Sequence, residues 1–214
     1  MSMPTNDELI DRLTEDLEPA APVSPGTGRW LVAAAALIAA ALLIGRFGMR
    51  PDFAVGAPHP VPLMAILVVL AAGSAAAVTV TAMARPAVGS LRNGWQWSVA
   101  AFAVLPLAAL LTMVGDAGQR GALRPAEGLF CLTAGTGVAV LTIVSLAWWM
   151  RRGAPTSPTR TSWLIGITGG GAGMLAIGMV CPADAIAHIG TWHSGILLLS
   201  ALGSRMTLPR FLRW

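Results

Sequence analysis

The 214-residue chain is poor in charge, since charged residues make up 11% of it and hydrophobic residues 55%. This composition excludes an ordinary soluble domain, in which about a quarter of the residues are charged. Lysine is absent, and the 14 basic residues are all arginines that stand beside apolar runs and form no basic block. The net charge of +4 is therefore no sign of nucleic-acid binding, and we expect no direct nucleic-acid partner.

The scarcity of charge leaves six long apolar runs. Each run approaches or exceeds the roughly 20 residues that a helix needs to cross a bilayer. We therefore predict an all-α membrane protein whose transmembrane domain, residues 30–204, contains six helices. The predicted spans are about 30–49, 61–84, 95–115, 128–150, 163–180 and 185–204.

The arginines predict the orientation of these spans. Cytoplasmic loops of membrane proteins carry an excess of basic residues. With both termini in the cytoplasm, ten arginines lie inside, including those of a basic tail at 205–214, and four lie outside. We therefore predict a multi-pass protein of a bacterial inner membrane, with its outer loops in the periplasm.

Residues 1–18 are compositionally distinct, because they hold six of the ten acidic residues. Thr5 and Glu8 have the spacing of a capping box, and leucine and isoleucine recur at helical intervals, which predicts an amphipathic helix over 6–18. Its acidic face disfavours a lipid surface and favours a protein partner with a basic-rimmed apolar groove, although a solvated tail is the alternative. The candidate binding residues are Leu9, Ile10, Leu13 and Leu17, with Asp7, Asp11, Glu15 and Asp16.

Residues 19–29 form a linker by composition, with prolines that keep it extended and glycines near the membrane. At about 3.1 Å per residue, the linker can hold the acidic helix up to about 30 Å from the bilayer. A tethered binding peptide is the simplest architecture consistent with this segment.

The chain has only two cysteines and three histidines, yet one cysteine and two histidines fall within residues 181–193. If the segment is helical from Cys181, then Cys181, Asp184 and His188 lie on one stripe. His193 lies about 140° further round a regular helix and joins them only if the helix is distorted near Gly190.

The predicted topology places Cys131, at the start of the fourth span, on the same outer side as Cys181. Three interpretations remain open: a disulfide or redox pair, a metal or thiol-reagent site, and inert cysteines. The metal site would use Cys131, Cys181, Asp184 and His188 as ligands. No other cofactor is expected.

These features together resemble the NrsF-type membrane anti-sigma factors of proteobacteria. The resemblance rests on the acidic N-terminal helix, the six spans, Cys131, and the pattern Cys-Pro-x5-His-x3-Trp-His that begins at Cys181. It implies a non-enzymatic regulator of transcription that holds an extracytoplasmic-function sigma factor at the membrane through its N-terminal segment. Stress sensed outside through the cysteine pair, in a site that includes His188 and His193, would release the sigma factor. A homo-oligomer is left open.

Two other classes of function compete with this interpretation. A small transporter or channel with an incidental acidic tail is disfavoured because the spans are nearly free of charge, which solute pathways usually display. A thiol-redox membrane enzyme is disfavoured because no Cys-x-x-Cys pair is present to exchange disulfides. The glycine-rich stretch 166–173 is interpreted as a helix-packing surface and not as a nucleotide loop.

Overall fold

The computed structural model describes residues 5–15, 23–85 and 94–212. These residues form ten α-helices and one π-helix with no strand, which confirms the predicted all-α class. The π-helix, Ile189–His193, lies between α9 and α10. The α-helices are α1 (Asn6–Thr14), α2 (Pro25–Phe47), α3 (Pro51–Ala54), α4 (Pro60–Ala82), α5 (Gly94–Gly115), α6 (Ala117–Gly121), α7 (Pro125–Met150), α8 (Pro158–Gly178), α9 (Ile186–His188) and α10 (Ser194–Phe211).

Proline marks the beginning of most of the long helices. α2, α4, α7 and α8 begin at Pro25, Pro60, Pro125 and Pro158. Proline suits the first helical position because the N–H that it lacks has no partner within the helix. These helices therefore begin before the apolar runs from which the spans were predicted, and in α2, α7 and α8 the first turn carries polar residues that precede the run.

Four helices are long and apolar enough to cross a membrane: α2, α4, α7 and the part of α5 from Ser98. Among the described residues, α8 and α10, which occupy the positions of the fifth and sixth expected spans, fall short of the same apolarity. The expected sixth span, 185–204, is not one helix, since α9 and the π-helix precede α10. Six spans with both termini in the cytoplasm stay a prediction.

Helix α8 lies at the centre of the bundle and packs against α2, α4, α7 and α10. Its glycines make this possible: Gly166 and Gly170 face α10, and Gly169 and Gly173 face α7. A Cβ atom at Gly166 would lie 2.5 Å from the carbonyl oxygen of Ser200. The predicted packing role of this stretch is confirmed, and it fixes the end of α8 beside the beginning of α7.

Helix α1 has the predicted capping box, in which the Thr5 hydroxyl accepts from the Glu8 N–H and the Glu8 carboxylate accepts from the Thr5 N–H. None of its residues is buried. The helix is described up to Thr14, and the candidate binding residues Asp16 and Leu17 lie outside the described part of the chain.

Candidate cysteine–histidine site

Two elements bring the cysteines together. Cys131 lies in the second turn of α7, and Cys181 follows the end of α8, where its N–H donates to the carbonyl oxygen of Ile177 at 2.8 Å. Because α7 and α8 pack closely, the two residues meet at one end of the bundle. Both are free thiols and both are 2% exposed.

The two histidines complete a cluster with these thiols. The candidate ligand atoms of Cys131, Cys181, His188 and His193 all lie within 4.8 Å of one another, and all four residues are buried. The Cys181 Sγ lies 3.6 Å from His188 Nε2. The His193 ring packs edge-on against the His188 ring, with centroids 5.8 Å apart. We refer to these four residues as the Cys–His cluster.

A local change of helix type brings His193 into the cluster. On a regular α-helix His193 would point away from His188, but the i→i+5 hydrogen bonding of the π-helix brings residues five apart onto one side. Gly190 permits this arrangement, because a Cβ atom there would clash with the Leu105 carbonyl oxygen of α5 and lie 2.5 Å from the Cβ of Ala109. The distortion near Gly190 on which the inclusion of His193 depended is therefore present.

Asp184, by contrast, lies outside the cluster. The segment that was expected to be helical from Cys181 has no helix until Ile186, so the predicted stripe of Cys181, Asp184 and His188 does not form. The Asp184 carboxylate instead pairs with the Arg50 guanidinium, and its side chain is 49% exposed. The expected metal ligand is a partner for a buried arginine, whose charge requires one.

Arg50 is the functional residue that the sequence interpretation missed. Its side chain is 3% exposed and donates to the carbonyl oxygen of Cys181 at 2.9 Å and to the carboxylates of Asp52 and Asp184. Its backbone N–H donates to the carbonyl oxygen of Met179 at 3.0 Å. Arg50 therefore ties the α2–α3 connection to residues 179–185, which we call the cysteine loop. No pattern in the sequence links Arg50 to Asp184, 134 residues away.

The charges of this network stabilise one another. Burial lowers the pKa of Arg50, but hydrogen bonds to Asp52 and Asp184 outweigh burial and hold that pKa above its ordinary value. The Arg50 hydrogen bond in turn lowers the pKa of Asp52 to about 2. Arg50 and Asp52 are therefore both ionised throughout the physiological range of pH.

Trp192 anchors the π-helix to the helix that carries Cys131. Its indole Nε1–H donates to the carbonyl oxygen of Leu123 at 3.1 Å, just before α7 begins. The ring lies over Gly128, where any Cβ atom would clash with it. Trp192 belongs to the residue pattern of the resemblance, and the structure gives it a positioning role.

The donor set of the cluster fits a soft tetrahedral metal ion. Zinc takes two thiolates and two imidazoles at about 2.0–2.3 Å, which places tetrahedral ligand atoms about 3.3–3.8 Å apart. The cluster, with separations of up to 4.8 Å, would have to contract by about 1 Å to reach this spacing. His193 Nε2 is buried without a hydrogen-bond partner among the described residues, and such an atom calls for a ligand.

The comparisons with known proteins give one match. The family model NrsF, described as negative regulator of sigma F, matches residues 13–214, a range that contains the whole Cys–His cluster and begins within α1. No curated protein and no solved structure matches the chain.

Proposed function

Because the chain belongs to the NrsF family of negative regulators of sigma F, we propose that it is an inner-membrane anti-sigma factor. In this proposal α1 sequesters an extracytoplasmic-function sigma factor, and the Cys–His cluster releases it in response to an oxidant or a metal ion. The observation that carries the proposal is the buried cluster of two thiols and two imidazoles at the end of the bundle opposite the beginning of α2.

The exposure of α1 supports its role in binding the sigma factor. Leu9, Ile10 and Leu13 are 47%, 56% and 66% exposed although they lie on one side of the helix. An isolated helix of 9 residues is marginal in water, so its apolar side gains stability from a groove on a partner. The carboxylates of Asp7 and Asp11 would meet a basic rim on that partner and favour encounter.

At the Cys–His cluster, which we call the sensing end, two reactions would each bring the side chains of the cluster closer together. An oxidant that accepts two electrons would convert the thiols of Cys131 and Cys181 into a disulfide with release of two protons. A soft metal ion would instead bind both thiolates together with His188 and His193. Either reaction draws the start of α7 towards the loop that follows α8.

Helix α7 provides a contiguous connection between the two ends. From Cys131 to Trp149 the helix extends about 27 Å, which is most of the thickness of a bilayer. At the far end the Trp149 ring lies against Gly28, where a Cβ atom would be 2.5 Å from the ring. Gly28 is in the first turn of α2, so we propose that a shift of α7 reaches α2 and, through the linker, α1.

Purification of the full chain from its native membranes, with mass spectrometry of the proteins that remain bound, tests the proposal. We expect a sigma factor in the untreated preparation and its loss after diamide or cadmium treatment. Leu9→Asp with Leu13→Asp should abolish the capture, whereas Arg12→Asp places a carboxylate on the polar side of α1 and should leave it intact. The absence of any sigma factor with the untreated intact chain would refute the proposed function.

A further inference from the structure

A cavity of about 620 Å³ lies between α5, α8 and α10, apart from the Cys–His cluster. This volume is within the range of about 300–1,000 Å³ that is typical of ligand-binding sites. Most of its wall is apolar. The principal apolar residues are Phe102, Pro106, Trp163, Ile167, Leu198 and Ala201.

One end of the cavity is basic. Arg85 and Arg160 line it there, together with the hydroxyl side chains of Thr156 and Ser157. Among the described residues, neither arginine forms a salt bridge with a carboxylate. The Arg85 Nε–H donates to the carbonyl oxygen of Val23 at 3.3 Å, so this is the end of the bundle at which α2 begins.

The cavity is longer than one bilayer leaflet is thick. Its lining residues extend over positions 99–106 of α5, 160–167 of α8 and 194–201 of α10. The last two ranges follow one another along the bundle axis, because Gly166 packs against Ser200 and Ala201. Together they cover about 20 Å, compared with about 15 Å for the hydrocarbon of one leaflet. When the basic end lies at headgroup level, the other end therefore lies beyond the middle of the membrane.

We propose that this cavity binds an anionic phospholipid. The headgroup phosphate pairs with Arg85 and Arg160, and one acyl chain lies between α5, α8 and α10. Charge complementarity selects an anionic lipid over a zwitterionic one, because the basic end has no carboxylate among the described residues to compensate it. The apolar wall selects a lipid over a soluble phosphate, which would leave that wall uncovered.

The bound lipid would also contact the sensing end of the molecule. Ser194 lines the cavity and directly follows His193 of the Cys–His cluster. The acyl chain thus packs against the first turn of the helix that carries this histidine.

The test uses the full-length protein in nanodiscs and in detergent, with native mass spectrometry of retained lipid. The probes are dioleoyl phosphatidylglycerol, dioleoyl phosphatidylcholine and inorganic phosphate. We expect one phosphatidylglycerol to be retained per chain and phosphatidylcholine to be removed by the detergent. Replacing one arginine by glutamine, as Arg85→Gln or Arg160→Gln, should weaken retention about fivefold.

A cavity-filling variant tests the acyl-chain part of the proposal. Ala103→Phe introduces a ring into the wall and should reduce phosphatidylglycerol retention, whereas Ala100→Phe, on the same helix but outside the lining, should not. Arg152→Gln, an exposed arginine outside the lining, is the matched charge control. Equal retention of the two lipids, no effect of the lining variants, or displacement of the lipid by inorganic phosphate would each overturn the proposal.

Discussion

The guanidinium of Arg50 donates a hydrogen bond to the carbonyl oxygen of Cys181 at 2.9 Å, so a buried cation fixes the backbone of a cluster thiol. The same side chain binds Asp52, two residues further along the chain, and Asp184, three residues beyond Cys181. Arg50 is thus a positioning residue for the cluster, since it holds the cysteine loop against the end of α2 without touching the thiol.

Loss of Arg50 should loosen the cysteine loop. Arg50→Met leaves the Cys181 carbonyl and two carboxylates without their donor, and we expect a loss of about 1–3 kcal/mol, less than for a fully buried pair because Asp184 is half exposed. Thermal unfolding in detergent and the rate of maleimide labelling of Cys181, measured in a Cys131→Ser background, report the two effects. Arg46→Met removes an exposed arginine from the last turn of α2 and should change neither.

A variant that keeps the charge sharpens this test. Arg50→Lys retains the cation but cannot bind three acceptors in a planar fork, so we expect labelling of Cys181 at a rate between wild type and Arg50→Met. Labelling of Arg50→Met at the wild-type rate would mean that the hydrogen bond does not position the thiol.

Metal titration distinguishes the observed cluster, which contains His193, from the ligand set expected from the sequence, which contains Asp184 in its place. We expect cadmium to produce thiolate-to-metal absorbance in the ultraviolet with the full chain. Cys181→Ser should abolish most of this band, and His193→Ala should weaken binding by at least about tenfold because a direct ligand is lost. Asp184→Asn should leave the cadmium affinity within about twofold of wild type.

The third histidine provides the matched control for this titration. His59→Ala removes an imidazole that lies outside the cluster and should not alter the spectrum. Equal losses for Asp184→Asn and His193→Ala would show that the solution site is not the cluster seen here. A full chain that gives no thiolate band would exclude the metal interpretation and leave the redox pair and the inert cysteines.

The π-helix lies so close to α5 that there is no room for a side chain at Gly190. Gly190→Ala places a methyl group against the Leu105 carbonyl oxygen, and overpacking of this kind costs about 1–3 kcal/mol. We expect a lower midpoint of thermal unfolding and weaker cadmium binding, since His188 and His193 are displaced together. Gly203→Ala, in α10 with open space around it, should instead raise stability by about 0.5–1 kcal/mol.

Features that depend on residues close together in the sequence were predicted, and features that depend on contacts between distant residues were not. Apolar runs, the Thr5–Glu8 capping box and the spacing of Gly166 and Gly170 are local patterns, and the helices and close contacts that they predict are present. The meeting of Cys131 with Cys181 followed from helix order. Where regular helical geometry was assumed across residues 181–193, the prediction failed, because contacts with α5 and Arg50 decide that segment.

The pairing of Arg50 with Asp184 shows why the conformation of residues 181–193 could not be predicted from the sequence. Both residues are single charges in loops far apart in the sequence, and an arginine beside an apolar run is equally well explained as a marker of topology. Only the packing of α2 and α8 brings them together. The same limit applies to the basic-ended cavity, whose arginines come from the segment after α4 and from the first turn of α8.

Signal transfer along α7 is tested by the contact of Trp149 with α2. Trp149→Ala opens a gap beside Gly28 and should leave capture of the sigma factor intact while diamide or cadmium no longer releases it. Trp148→Ala, the adjacent and 59% exposed tryptophan, is the control and should respond like wild type. The amount of sigma factor that remains with the purified chain, with and without treatment, measures both states. Normal release from Trp149→Ala would exclude this contact as the route, because removal of the ring eliminates the three atoms that lie nearest to a Cβ at Gly28.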